Sequence, residues 1–376
     1  MLSKLTLILY KIAARIFGFE KRYISRVRGC KDWIYISYIP EVFYNLWNES
    51  YMHGHQSRQE MVRMVKVFNK IGYNVYVSNH YNYVLPDLNI KIVFGIEPGF
   101  IFACQKYLSA KKIYYATGAY WEHQNNMIKK RTDIFNSIHN THYPYERLVE
   151  SRSHLDYADY IVQIGTKFTI ETYPKHYQSK IIPIHQSTTI NPNIDIKIEF
   201  ARENEFMWIG GGGSILKGLD LVFDYFIANP NKMVHIVGDV DSEILKIYDG
   251  RLGQNIKFHG FMNLNSEKFR QIVSRCNFLI YPSCSEGGCP GAVINAMYFG
   301  LIPIVSLWAA FDEIDALGFL LKKLSIPEIT TVVRKIDSLD KSDILRRKKA
   351  CYSYVRKTYS IERFCFEFED VMRRLI

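Results

Sequence analysis

The chain has 376 residues, 48% of them apolar and 15% aromatic, and carries 48 Lys and Arg against 37 Asp and Glu, a formal charge of +11. This length and apolar content suit two packed domains and exclude intrinsic disorder, collagen-like repeats and disulfide-stapled mini-proteins. The basic excess alone admits nucleic acid, a membrane surface or a polyanionic ligand.

The chain opens on a basic segment. Residues 1–31 hold Lys4, Lys11, Arg15, Lys21, Arg22, Arg26, Arg28 and Lys31 against Glu20 alone, interleaved with Leu2, Leu5, Leu7, Ile8, Leu9, Ile12, Ile16 and Phe17. That spacing allows a helix with an apolar stripe and a basic face. Two readings stand: an arm lying in the headgroups of an anionic membrane, or a helix packed on its own domain. No run of about 18 apolar residues spans a bilayer, and the apolar stretch 5–10 is too short for a secretory signal. The seven cysteines (Cys30, Cys104, Cys276, Cys284, Cys289, Cys351, Cys365) contain no Cys-x-x-Cys pair. They fit a reducing compartment, so a cytoplasmic location is expected, peripheral on the inner face of the membrane if the arm binds lipid.

From residue 33 short apolar runs alternate with helical periodicity. Strands are predicted over 33–39, 74–78, 90–95, 112–117, 160–165 and 181–185, with helices over 58–71 and 100–109. Residues 188–205, with Asn191-Pro192-Asn193, break the rhythm as an interdomain linker. The alternation then resumes with strands over 206–210, 233–238, 256–260, 278–282 and 302–306 and helices over 216–227, 266–275 and 291–299, and a helix over 361–375 closes the chain. The expected fold is α/β, with two doubly wound Rossmann-like domains facing a central cleft. The expected boundaries are 1–30 for the basic segment, 31–195 and 200–358 for the two domains, and 359–376 for a C-terminal helix that is a candidate to return to the N-terminal domain.

Residues 206–220 read Phe-Met-Trp-Ile-Gly-Gly-Gly-Gly-Ser-Ile-Leu-Lys-Gly-Leu-Asp. A strand runs into four glycines and a serine, and Lys217 is expected to open a helix. Backbone N–H groups, a helix N-terminus and one ammonium can thereby converge on an anion. The order is neither that of a P-loop, since Gly218 follows the lysine, nor a good Rossmann dinucleotide turn, since Leu216 stands near the third glycine position. A tight turn alone would also account for it.

Residues 281–305 read Tyr-Pro-Ser-Cys-Ser-Glu-Gly-Gly-Cys-Pro-Gly-Ala-Val-Ile-Asn-Ala-Met-Tyr-Phe-Gly-Leu-Ile-Pro-Ile-Val. A strand ends at Tyr281-Pro282, a glycine-rich loop presents Glu286, and a helix follows. Here the sequence resembles the retaining GT-B glycosyltransferases of group 1, often called family 4, which use nucleotide-sugar donors. The match runs back through Lys217-Gly218-Leu219-Asp220, His235-Ile236-Val237-Gly238 and Phe258-His259-Gly260-Phe261, about 150 residues in all; the N-terminal half matches in layout more than in letters.

The resemblance implies roles. Gly211, Gly212, Gly213, Ser214 and Lys217 would hold the donor diphosphate, with Lys217 stabilising the leaving charge. Glu286 would sit beside the donor sugar, ringed by Gly287, Gly288, Cys289, Pro290, Gly291 and Ala292. Gly260, Phe261, Tyr281, Pro282 and Ser283 would border the base. Asn295 stands in the place of the family's second glutamate, which bonds the ribose. Lys217 and Glu286 are thus the catalytic candidates, with no metal and no cofactor beyond the donor itself. Three departures are visible: Glu-x7-Glu becomes Glu286-x8-Asn295, Gly212 replaces an arginine usual five residues before the lysine, and no histidine stands at 95–98 or 117–119, where the family carries one.

On the N-terminal side, Gly54 and His55 follow the first strand, and Glu97 follows the strand over 90–95. Tyr120, Trp121 and His123 follow the strand over 112–117, and rings beside polar groups suit sugar recognition. Each could equally be an ordinary loop or cap residue. Asp239-Val240-Asp241 spells an Asp-x-Asp metal motif but is placed as a surface turn, and Arg346-Arg347-Lys348-Lys349 reads as a solvated helix face rather than a nucleic-acid patch.

The expected function is transfer of a sugar, with retention, from a nucleotide-diphosphate donor to a glycan or polyprenyl-linked acceptor in surface polysaccharide or glycoconjugate synthesis. The expected partners are that donor, that acceptor and an anionic membrane, with no nucleic acid. Alternatives are a nucleotide-sugar epimerase or hydrolase, a non-catalytic GT-B protein that binds a nucleotide or a partner, and, more distantly, a dinucleotide oxidoreductase.

Overall fold

The computed structural model describes residues 21–151 and 154–376. Most of the basic N-terminal segment, residues 1–20, lies outside the described residues.

The N-terminal domain is built on seven strands: β1 (Arg22–Ser25), β2 (Trp33–Tyr38), β3 (Asn74–Asn79), β4 (Ile90–Gly95), β5 (Lys111–Ala116), β6 (Tyr160–Ile164) and β7 (Ile181–Ile184). Their order is β1-β3-β2-β4-β5-β6-β7. All neighbours are parallel except β1, which pairs antiparallel with β3. The end of the basic segment is therefore an edge strand rather than a helix. Side chains alternate across the sheet, so Ile34 and Ile36 join one core and Trp33 and Tyr35 the other. The helices α1 (Gln56–Ile71) and α2 (Gly99–Lys106) cover these two faces. A third helix, α3 (Trp121–His139), was not anticipated from its mixed polar sequence.

The C-terminal domain has six parallel strands: β8 (Glu205–Ile209), β9 (Met233–Val237), β10 (Ile256–Phe258), β11 (Phe278–Tyr281), β12 (Ile302–Ser306) and β13 (Phe319–Leu321), in the order β10-β9-β8-β11-β12-β13. Except in the edge strands β10 and β13, their side chains are almost wholly buried, as helices on both faces of a parallel sheet require. The helices used below are α4 (Leu219–Ala228), α5 (Gly291–Tyr298), α6 (Lys341–Thr358) and α7 (Ile361–Leu375). In both sheets strand order reverses once, between β2 and β4 and between β8 and β11. The carboxyl ends of these strands are where a doubly wound sheet opens a crevice.

Two crossings tie the domains together. The chain returns through α7, whose Phe364, Phe368, Val371, Met372 and Leu375 lie on one face and join the N-terminal core. Phe368 meets Phe68 of α1 edge-on at 5.4 Å and Phe94 of β4 at 5.6 Å. In the other direction, α3 leans on the C-terminal domain. Phe135 and Tyr143 join that domain's core, and buried Arg131 pairs with buried Asp220 of α4. The segment around 128–147, within the domain expected over 31–195, thus docks on the C-terminal domain.

The charged run 346–349 departs from a uniformly solvated face. Lys348 of α6 is buried and donates to the Cys276 carbonyl at 3.0 Å and to Asn277 Oδ1 at 3.1 Å. Burial lowers its pKa to about 8. All seven cysteines are free thiols.

Candidate functional site

A cleft of about 570 Å³ opens between the domains, lined from both sheets at their carboxyl ends. The C-terminal wall comes from the loops after β8 and β11. After β8 the glycines continue the strand into a coil, and α4 begins only at Leu219, with Gly218 as its left-handed N-cap. Lys217 therefore stands before the helix rather than opening it. Its ammonium donates to the Gly211 carbonyl. Burial pushes the Lys217 pKa down, while the Glu286 charge opposes that shift. Among the described residues, no acceptor meets the N–H groups of Gly211, Gly212 and Gly213. Three uncommitted amides beside an ammonium form an anion cradle.

Glu286 faces Lys217 from the loop after β11. Its Oε1 accepts from the Tyr281 hydroxyl at 3.0 Å, and its own N–H donates to the Trp308 carbonyl. Burial raises its pKa to about 7, against the lowering pull of Lys217, the Tyr281 bond and Arg147. A carboxyl poised near neutrality beside a lysine is an arrangement that chemistry uses.

The glycines after Glu286 have a second task. A Cβ on Gly287 would stand 2.5 Å from Gly118 Cα and 2.7 Å from the Thr117 carbonyl, and one on Gly288 would stand 2.9 Å from Gly165 Cα. Backbone meets backbone across the domain interface here. The Thr169 hydroxyl reinforces the contact by donating to the Gly287 carbonyl at 2.6 Å.

The remaining C-terminal candidates divide into two groups. Gly211, Phe261, Tyr281, Gly287, Gly288, Pro290, Gly291, Ala292 and Asn295 line the cleft, with Phe261 largely exposed at its mouth. Gly212, Gly213, Ser214, Gly260, Pro282, Ser283 and Cys289 stand behind or beside the lining. Pro282 presses its carbonyl towards Gly218, the Ser283 carbonyl accepts from Ser306, and the Cys289 carbonyl accepts from Gln186. Asn295 directs its Oδ1 to the interdomain linker, accepting from Thr188 Oγ1 at 2.8 Å and Thr189 N at 3.0 Å.

On the N-terminal wall, Gly54 and His55 line the cleft. His55 also caps α1, its Nδ1 accepting from Ser57 N. The crowding cleft walls, and then Arg58, lower its pKa. Glu97 accepts from the Tyr114 hydroxyl, Tyr120 packs on Tyr173, and His123 packs on Phe168; together with Trp121, none of these is in the cleft lining. Asp241 is no isolated turn residue: Oδ1 caps a short helix through Glu243 N, and Oδ2 lies 2.7 Å from the Tyr143 hydroxyl oxygen.

Sequence reasoning did not single out Glu60, Tyr38, Tyr115 or Arg147, all of which line the cleft. Glu60 of α1 is buried, and its Oε1 accepts from Ser187 N at 2.6 Å and Ser187 Oγ at 3.0 Å. Burial raises its pKa to about 7, with the Ser187 bonds pulling the other way. The phenols of Tyr38 and Tyr115 are raised by burial and then by the Glu60 charge. The one available signal was a glutamate on the apolar stripe of α1, among Met61, Met64 and Val65.

Residues 204–336 match the family model described as Glycosyl transferases group 1. The C-terminal domain is thus similar to the group 1 glycosyltransferases. The described residues as a whole have the GT-B fold. The chain superimposes on a sucrose-phosphate synthase from Thermosynechococcus elongatus with a TM-score of 0.59 at 12% identity, over 92% of this chain and 99% of the other. Anabaena Alr3699/HepE in complex with UDP and glucose gives 0.55 at 9% identity, over 92% and 100%. The lipopolysaccharide outer core galactosyltransferase WaaB gives 0.55 at 11%, over 92% and 100%. No curated protein sequence matches the chain. The matched residues include Lys217 and Glu286, and the GT-B arrangement sets them across the cleft from Glu60 and His55.

Proposed function

We propose that this protein is a retaining glycosyltransferase that moves a sugar from a nucleoside diphosphate to a hydroxyl of a glycan or polyprenyl-linked acceptor. The observation that carries the reading is the convergence in one interdomain cleft of Lys217, Glu286 and the uncommitted amide of Gly211, with the uncommitted amides of Gly212 and Gly213 next to it in the same loop. The donor diphosphate lies on the amides and Lys217, and the sugar lies against Glu286. The bond from the sugar's anomeric carbon to the phosphate oxygen breaks, and the acceptor oxygen bonds to that carbon on the same face. The acceptor's proton passes to the departing diphosphate. Lys217 stabilises the charge that grows on that leaving group, and the cleft walls hold the two reactants in register.

A uridine donor is favoured because a neighbour of the same fold holds UDP and glucose. WaaB's description as a lipopolysaccharide galactosyltransferase supports a surface-glycan acceptor. Among the described residues no helix is long and apolar enough to cross a membrane. The basic N-terminal segment over residues 1–31 would hold the enzyme at an anionic leaflet, beside a lipid-linked acceptor, on the cytoplasmic side.

A mass-spectrometric screen of UDP-, ADP- and GDP-sugars against lipid-linked acceptors tests the reading. Transfer by the wild-type chain is expected to fall in Lys217→Ala and Glu286→Ala. Full transfer in both variants would remove the site assignment, and nucleotide binding without turnover on any acceptor would favour a non-catalytic GT-B protein.

A further inference from the structure

The glycine loop offers amides and one lysine to a group that carries two phosphates, and Gly212 supplies no side chain. A second cation does reach the loop, from the other half of the chain. Arg147 lies beyond α3, and its Cγ sits 2.8 Å from where a Gly213 Cβ would stand. Only a glycine at 213 leaves room for it. Arg147 lines the same cleft as Lys217 and Glu286 and forms no ion pair among the described residues. Its charge is felt at both, opposing the ammonium of Lys217 and favouring the carboxylate of Glu286.

The loop around Arg147 is pinned on both sides. Gln124 Nε2 donates to the Arg147 carbonyl at 3.0 Å, and Asn125 exchanges two hydrogen bonds of 2.8 Å with the backbone of Val149. The neighbouring Glu146 accepts from Ser214 N at 3.1 Å and from the Tyr143 hydroxyl at 2.6 Å. Between these anchors Arg147 has φ +59, a left-handed conformation that a non-glycine residue adopts at a cost. Such strain persists where neighbours over-determine it, and it concentrates at ligand sites.

We infer that Arg147 is a ligand of the nucleoside diphosphate, contributed across the domain interface, with its guanidinium on the phosphates opposite Lys217. The inference rests on the proposed donor reading and adds a residue to that site. A planar guanidinium can take two phosphate oxygens at once, which an ammonium cannot. The anion site is therefore complete only while the segment carrying α3 is docked on the C-terminal domain.

Calorimetry of the full chain with UDP and UMP tests this, alongside thermal unfolding of each variant. The wild type is expected to bind UDP more tightly than UMP. Arg147→Ala should weaken UDP by about tenfold or more and UMP much less, and Arg147→Lys should recover part of the loss. Equal UDP affinity in Arg147→Ala and wild type, with unchanged unfolding, would overturn this assignment and leave the donor reading intact. Equal weakening of UDP and UMP would also overturn it, since the guanidinium would then not read the second phosphate. If the wild type bound none of UDP, ADP or GDP, both readings would fall together.

Discussion

The two walls of the cleft are built by different means. The C-terminal wall is local: Gly210 to Lys217 follow one strand, and Tyr281 to Ala292 end its neighbour and follow it. Its working parts are backbone amides held by glycines, with Lys217 and Glu286 at fixed offsets along the chain. The N-terminal wall gathers Tyr38, His55 with Glu60, Tyr115 and Arg147 from four separate segments, and it works through side chains. A site made of backbone constrains a contiguous run of residues and leaves a motif. A site made of scattered side chains leaves none, because each residue needs only to stand at the right strand or helix end.

The sharpest way to break this contrast is to separate the walls. Arg131→Ala leaves Asp220 buried without its partner, and a loss of about 3–5 kcal/mol in urea unfolding is expected, as for other interrupted buried pairs. A loss below 1 kcal/mol would show that α3 is not held by this pair. Within the C-terminal wall, Lys217→Ala should lower kcat by about 10²–10³, the range for losing a charge-stabilising group, with unfolding little changed.

The N-terminal wall predicts a dependence on pH. Glu60 keeps its proton up to about pH 7 when folded, against an ordinary value of 4.5, because burial disfavours the charged form. Between those values the folded state binds more protons than the unfolded one. Stability therefore falls as pH rises from about 4.5 to 7, by roughly 3 kcal/mol for a shift of this size, and stays lowered above. Glu286 contributes in the same direction. Glu60→Gln should remove its share of the slope and be relatively more stable at pH 8 than at pH 5; an unchanged slope in paired urea titrations would contradict the buried-acid account.

A smaller effect distinguishes the glycines. Gly287→Ala must push against the Gly118 backbone, so a thermal-unfolding loss of about 1–3 kcal/mol is expected. Gly211→Ala meets nothing within 4 Å and should keep its stability, so that weakened UDP binding there would report on the anion cradle alone. Equal stabilities for the two variants would mean that the glycine contact between domains is looser than its geometry.

How much was legible follows the same division. The strands over 90–95 and 302–306 and the helix over 361–375 match the observed limits, because each is a short, mostly apolar run or a clean amphipathic stripe. The short antiparallel β1 was hidden among basic residues that also suit a helix. Lys348 was hidden because a buried lysine and a solvated one look alike in a charged run. Asn295 was placed by its offset from Glu286, and its offset could not show that Oδ1 turns to Thr188 and Thr189.

The sequence by itself determined two doubly wound sheets and the glycine-rich C-terminal wall, since alternating periodicity and contiguous glycines encode local backbone geometry. Only the tertiary structure decided which N-terminal side chains meet that wall. The contacts of Glu60 with Ser187, of Arg131 with Asp220 and of Arg147 with Gly213 join residues from about 65 to over 120 positions apart. Their proximity arises from strand order and domain docking, and neither is written in the local pattern of residues.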